Sequence, residues 1–283
     1  MAEILKGAPV ANAISENLAL RAKKLREQGI DPCLAILRVG ERPEDLAYER
    51  SILKRCEKVG ILIVPVLLPD DCTQTALMDA IEKINLNGRI HGCLLFRPLP
   101  PHLDGEAAAE VLVPRKDVDS MTSASLLSVF TGRDDGYAPC TAQSCMEILD
   151  YYGIDPFGKR AAVIGRSLVV GKPVSMMLQA RNATVTMCHT KTRDLANVCR
   201  EAEILIVAAG KPGIVDAGFA NPEQTVIDVG INPTPEGGIC GDVLFEEVEP
   251  LVKAVSPVPG GVGSVTTAVL CKHVIEAAEK LAG

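Results

Sequence analysis

The residues of this chain best spaced to do chemistry together begin at Gly165-Arg166-Ser167 and continue, six residues after the first glycine, at Gly171 with Pro173 just behind. A turn that starts on a glycine and ends in a helix aims free backbone N–H groups and the positive end of the helix dipole at one point. That is chemistry for holding a phosphate. The apolar run Ala161–Ile164 before it suits a buried strand, and Pro173 suits a first helical turn. The spacing is not G-x-G-x-x-G, and an ordinary βα turn would share much of it. A second group follows at the end of the next strand, where dinucleotide-binding folds meet the ribose. The residues there are Cys188-His189-Thr190-Lys191-Thr192-Arg193, with no carboxylate among them. An acidic residue would favour NAD. Hydroxyls and cations, with Arg166 in the turn, suit a 2′-phosphate and lean toward NADP. Lys191 and Arg193 would read equally as a solvated loop. A third group, Pro257–Gly263, is rigid and then nearly bare of side chains, so that backbone can approach a flat ligand.

Elements must position these groups, and the chain supplies them in alternation. Helices are expected over 8–29, 43–59 and 73–86, the last with Thr73 as N-cap. Strands are expected over 33–39, 61–68 and 92–96. The segment 114–120 breaks the pattern as a crossover, and 141–152 is a helix bridging to a second domain. Strands over 161–164, 183–188, 204–208 and 225–229 then follow, with a last helix over 266–282 that returns to the first domain. The alternation implies βαβ units and parallel sheets. The loops Ala209–Pro212 and Gly230–Asn232 leave strand ends where such sheets bind ligands. The expected fold is two α/β domains with a cleft between them, the second Rossmann-like with a doubly wound parallel sheet. The first takes 1–120 with 266–283, and the second takes 121–265.

Composition bounds the function. With 283 residues and 47% hydrophobic content the chain can build two cores. No run approaches the roughly 20 apolar residues of a membrane span, and the N-terminus lacks the pattern of a secretion signal. A net charge of −7 argues against nucleic acid or an anionic membrane as partner. The ten cysteines have irregular spacing and no C-x-x-C pair, so free thiols in a reducing cytoplasm are expected, with neither disulfides nor a metal site.

Six stretches together carry a resemblance: Gly165–Pro173 (GRSLVVGKP), Pro139–Thr141 (PCT), Lys116–Asp119 (KDVD), Pro98–Pro100 (PLP), Val226–Asn232 (VIDVGIN) and Pro257–Gly263 (PVPGGVG). With all six in the right order along the sequence, the chain resembles the methylenetetrahydrofolate dehydrogenase/cyclohydrolase family (FolD) nearly end to end. The resemblance implies oxidation of 5,10-methylenetetrahydrofolate with NADP⁺ to the methenyl cation, then hydrolysis to 10-formyltetrahydrofolate. It implies a cytoplasmic homodimer with folate in the interdomain cleft. It places cofactor contacts at Gly165, Arg166, Ser167, Thr190 (usually serine in the family) and Ile231. It places substrate contacts at Tyr48, Pro98, Leu99, Asp119, Pro259, Gly260 and Gly261, with Tyr48 and Asp119 at catalytic positions.

Two departures touch the implied chemistry. The family's folate helix carries Tyr-x-x-x-Lys-x-Lys, and here it reads Tyr48-Glu49-Arg50-Ser51-Ile52-Leu53-Lys54. The catalytic lysine position is Ile52. Lys54 matches only the second lysine and lies about 120° around the helix from Tyr48. The glutamine before PLP is Phe96. Replacing both members of one polar pair with apolar residues avoids a stranded polar group. Milder changes are Ser120, Ala142 and Ser264-Val265. Hydride transfer needs mainly positioning, whereas ring opening by water needs proton transfer. The expectation is a dehydrogenase with weak or absent cyclohydrolase activity, with Arg97 or Arg55 as substitute cations. Two other readings stand beside it: a non-catalytic folate- and NADP-binding member of the family, and an NADP dehydrogenase for another small metabolite.

Overall fold

The structure is a computed structural model and describes residues 1–235 and 237–282. In chain order its elements open with strand β1 (Glu3–Ile4) and helix α1 (Gly7–Glu27), then β2 (Cys33–Val39), α2 (Pro43–Val59), β3 (Leu62–Leu68), α3 (Gln74–Leu86), β4 (Gly92–Leu95), α4 (Gly105–Val111) and α5 (Ser123–Thr131). The chain continues as α6 (Cys140–Tyr151), β5 (Arg160–Ile164), α7 (Gly171–Ala180), β6 (Thr184–Cys188), α8 (Leu195–Arg200), β7 (Ile204–Val207) and β8 (Thr225–Asp228). It closes with the hairpin strands β9 (Asn232–Pro233) and β10 (Ile239–Cys240), then α9 (Phe245–Val248), β11 (Ala254–Val255) and α10 (Thr266–Ala282).

These elements form two compact units, one of residues 12–140 with 267–283, the other of 1–11 with 141–266. The smaller sheet, in the first, has the order β3-β2-β4 and is parallel throughout. β2 is buried along its whole length because it lies between two neighbours. The Phe96 N–H donates to Leu37 O at 3.0 Å and carries the β2–β4 ladder one residue past β4. One face of this sheet packs Leu37, Leu77, Ile81 and Leu95 into a core with α3. Local signals explain the helices. α2 opens on Pro43 with Glu44 and Asp45 in its first turn, and ends on Gly60, at φ 88°, whose N–H reaches Cys56 O. Its buried residues Asp45, Ile52, Cys56 and Val59 recur at helical spacing along one stripe. Thr73 caps α3 by accepting the Ala76 N–H at 3.1 Å. All of α10 but its first residue, Thr266, groups with this unit.

The larger sheet has the order β1-β11-β8-β7-β5-β6, all parallel. Leaving β5, the chain runs by α7 to β6 on one side and then returns to β7 on the other, a doubly wound arrangement. The reversal puts a crevice at the carboxyl end of β5, next to Gly165.

The compact units divide elsewhere than at residue 120. Residues 1–11 group with 141–266 because β1 pairs with β11. Residues 121–140 group with the smaller sheet. The Asp117 carboxylate accepts the Met121 and Thr122 N–H groups, and Asp119 accepts that of Cys140. Helix α7 starts at Gly171, two residues before Pro173, because the Ser167 hydroxyl accepts the Val170 N–H at 3.1 Å and the Gly171 N–H at 3.5 Å. All ten cysteines are free thiols and nine are buried. Among the described residues no group of His, Cys, Asp and Glu is arranged to hold a metal, and no helix is long and apolar enough to cross a membrane.

Candidate active site

The turn after β5 is built on backbone. Gly165 has φ 128°, and a Cβ there would fall on the carbonyl oxygen of Ala208. A Cβ on Gly171 would fall on the carbonyl of Gly165. Helix and strand therefore approach more closely than any side chain permits. Among the described residues, the N–H groups of Arg166, Ser167, Leu168 and Val169 have no intramolecular acceptor. Arg166 and Ser167 are exposed. Past β6, the turn 189–192 closes on itself: Thr192 N–H donates to His189 O at 2.8 Å, and His189 N–H donates to Thr192 Oγ1 at 2.9 Å. Thr190, Lys191 and Arg193 are left exposed around it. The one carboxylate adjoining, Asp194, is held by Asn197 Nδ2 at 2.5 Å. Free N–H donors, a hydroxyl and cations fit a phosphorylated dinucleotide, and the side-chain-free turn gives its backbone room to approach.

At the carboxyl end of β8 lies a pocket of about 280 Å³. Ile231 lines it, 64% exposed, together with Pro259, Gly260 and Gly261. The structure thus joins a residue expected to touch cofactor with three expected to touch substrate. The Gly7 N–H donates to Gly260 O at 2.8 Å and ties this loop to the start of α1. Asp228 also lines the pocket. Burial pushes its carboxyl up to about 6, against the pull of N–H donors from Gly230, Val243 and Asp242, while the Asp242 charge adds to the rise.

In the other unit, Tyr48 is 37% exposed on α2, and its ring meets that of Phe96 edge-on with centroids 5.8 Å apart. Ile52 is 0% exposed and Phe96 6%. Both positions are therefore apolar and sealed, and neither side chain offers an atom that could move a proton. Lys54 is exposed, away from the buried stripe. Arg55 falls on the Tyr48 side by helical arithmetic, yet its guanidinium donates to Ser15 Oγ at 3.0 Å and Thr267 Oγ1 at 3.4 Å. Arg97 is exposed, followed by Pro98 and half-buried Leu99. The positive charge of Arg97 acts on Asp119.

Asp119 is set by its neighbours. Lys116, 2% exposed, donates from Nζ to the carbonyls of Ile84, Asn85 and Asn87 at 2.7, 2.9 and 2.8 Å, closing the C-terminal end of α3. His273 Nδ1 lies 2.8 Å from Val118 O. With 116, 117 and 118 each fixed to a different element, Asp119 has one place to go. Burial raises its carboxyl, and the Cys140 thiol and N–H, with Arg97, pull it back down.

The catalytic-domain model of tetrahydrofolate dehydrogenase/cyclohydrolase matches residues 5–119, and the NAD(P)-binding-domain model matches 139–282. The chain belongs to the tetrahydrofolate dehydrogenase/cyclohydrolase family. It is 50% identical over 285 residues to the bifunctional protein FolD of Carboxydothermus hydrogenoformans, covering 100% of this chain and 99% of that one. A crystal structure of bifunctional FolD from Campylobacter jejuni superposes with TM-score 0.96 at 36% identity, covering 99% of each chain. A Trypanosoma brucei FolD, complexed with NADP cofactor and inhibitor, superposes with TM-score 0.91 at 33% identity, covering 99% of this chain and 98% of that one. The two α/β units with parallel sheets are the fold the sequence implies.

The sequence reading passed over Asp228 and Asp242 and gave Lys116 no role of its own. Asp228 ends β8 and Asp242 follows β10 by two residues, and a charged residue at a strand end is the signal that could have found them; Lys116 lies between α4 and α5, far from any strand end, and carries no such signal.

Proposed function

We propose that the protein oxidises 5,10-methylenetetrahydrofolate to 5,10-methenyltetrahydrofolate with NADP⁺, and that its hydrolysis of the methenyl product is weak or absent. The observation that carries this reading is the contrast between an intact phosphate cradle at Gly165–Gly171 and a sealed apolar pair at Ile52 and Phe96. The free N–H groups of 166–169, with Ser167, hold the dinucleotide phosphates. Arg166 and Thr190 meet the 2′-phosphate, and Ile231 packs against the cofactor. NADP⁺ held there would supply the acceptor for a hydride from the methylene carbon, the chemistry that yields the methenyl product. Tyr48 presents its ring to the folate, held edge-on by Phe96. Asp119 accepts hydrogen bonds from the pterin, and a carboxyl raised by burial is the better acceptor for it. Pro98, Leu99, Pro259, Gly260 and Gly261 shape the substrate's surroundings. Water attack on the methenyl carbon needs a group to take and return a proton, and position 52 has none. Arg97 is the remaining cation near Asp119. Assembly as a cytoplasmic homodimer rests on the family resemblance alone.

The test is one absorbance experiment. The protein is mixed with methylenetetrahydrofolate and NADP⁺, and NADPH and methenyltetrahydrofolate are followed separately. NADPH should form while methenyltetrahydrofolate accumulates and decays at its spontaneous rate. Faster decay would mean that hydrolysis persists, and Arg97→Ala should then abolish it. NADP⁺ binding with no turnover would favour the non-catalytic reading.

A further inference from the structure

We propose that Asp242 is a positioning residue of the dinucleotide site, whose buried carboxylate locks the loops leaving β7 and β8 into the arrangement that receives the cofactor. The inference rests on the reading that this unit binds NADP. Asp242 is 0% exposed and is not among the residues lining the pocket. Its Oδ2 accepts the N–H of Ala209 at 2.7 Å and of Gly210 at 2.8 Å. Its Oδ1 accepts the N–H of Lys211 at 2.9 Å and Asn232 Nδ2 at 2.8 Å. Three consecutive backbone donors from the loop after β7 therefore converge on one carboxylate, and a fourth donor comes from the loop after β8.

A second carboxylate holds Asp242 in turn. Asp228 accepts the N–H groups of Asp242 and Val243 at 3.1 and 3.0 Å, and that of Gly230 at 2.8 Å. The packing leaves no slack. A Cβ on Gly230 would meet Asp242, and one on Gly241 would meet the Asp228 carboxylate. Ile231 thus sits between two pinned neighbours, Gly230 and Asn232, with its side chain projecting into the pocket. Neutral loops at a sheet edge would have several arrangements. An anion with four N–H donors specifies one, because each charge-assisted hydrogen bond is stronger than a neutral one and each is lost if the loop shifts.

Asparagine keeps the shape of Asp242 but has one acceptor oxygen. Whichever way its amide turns, two of the four donors must face an NH₂ group. Asp242→Asn should therefore raise the KM for NADP⁺ at least tenfold and leave the KM for methylenetetrahydrofolate within twofold. Asn232→Ala removes one donor of four and should raise the KM for NADP⁺ about threefold. Circular dichroism and thermal melting show whether each variant is folded. A folded Asp242→Asn protein with an unchanged KM for NADP⁺ overturns the proposal, as does a parallel rise in both KM values. If Asp242→Asn does not fold, Asn232→Ala decides: an unchanged KM for NADP⁺ overturns the proposal. Calorimetry of the parent protein with NADP⁺ separates the two claims. No binding there overturns the cofactor reading and the proposal with it, whereas binding by parent and Asp242→Asn alike overturns the role of Asp242 alone.

Discussion

Asp228 and Asp242 are buried beneath the loops of the larger sheet, and between them they accept seven hydrogen bonds. Ile52 and Phe96, in the other unit, are as deeply buried beside Tyr48, and their side chains bring no polar atom at all. The difference shows how buried polarity behaves as a set. A carboxylate can stay out of water when every lone pair has a donor. A buried lysine without a partner cannot, and apolar side chains are the stable alternative at such positions. The buried pair of one unit is polar and hydrogen-bonded, and the buried pair of the other is apolar.

The comparison can be broken at several points. Gly165→Ala should have the largest effect, because the added Cβ meets Ala208 O at a φ of 128° that alanine resists. Strain and overpacking together should cost about 4 kcal/mol, or on the order of a thousandfold in NADP⁺-dependent turnover. A loss under tenfold would mean that the cradle is not the rigid part. Next comes the pH dependence of Asp228. A carboxyl raised from 3.8 to about 6 holds its proton longer in the folded protein. Its contribution to stability is full below 3.8 and is lost as pH rises through about 6. Relative to Asp228→Asn, the parent should therefore lose about 3 kcal/mol of stability between pH 4 and pH 7. Denaturant unfolding of both proteins at intervals of pH checks this, and a constant difference would show that the carboxylate is not desolvated.

Restoring the missing pair sharpens the comparison from the other side. Ile52→Lys with Phe96→Gln should speed hydrolysis of methenyltetrahydrofolate about a hundredfold. Ile52→Lys alone should instead destabilise the protein by about 3 kcal/mol, because Phe96 leaves the ammonium without a partner. Equal stability of the single and double variants would show that the two positions do not act as a pair. The smallest effect belongs to the exposed cations. Lys191→Ala with Arg193→Ala should raise the KM for NADP⁺ about threefold at low salt, and less in 0.5 M salt.

Much of this architecture was legible because it is written in long, local signals. Cys33–Leu37 is an uninterrupted apolar run, and Thr73 and Gly60 mark helix ends by their own chemistry. β1 and β11 have two residues each, too few to show a period, so the pairing that assigns the N-terminus to the larger sheet could not be read. The cradle was legible as glycines and spacing, but the start of α7 was not, since the Ser167 hydroxyl sets it from outside the helix. Helical arithmetic placed Arg55 near Tyr48 without showing that Ser15 and Thr267 take its guanidinium. Asp242 was illegible for a related reason: its partners are backbone donors of loops 31 to 33 residues away, and backbone donors leave no mark in side-chain identity.

The grouping of α10 with residues 12–140 has a consequence for how the polypeptide is made. A ribosome releases the chain from its N-terminus, so the smaller sheet and its helices emerge first. Yet Ala268, Val269, Leu270, Cys271, Val274 and Ile275 of α10, all fully buried, emerge only after residues 141–266. The first unit to leave the ribosome must wait with an open core while the entire second unit is synthesised. Cutting the gene between residues 140 and 141 would therefore yield an N-terminal fragment with exposed apolar surface, needing a separately supplied α10 to close it.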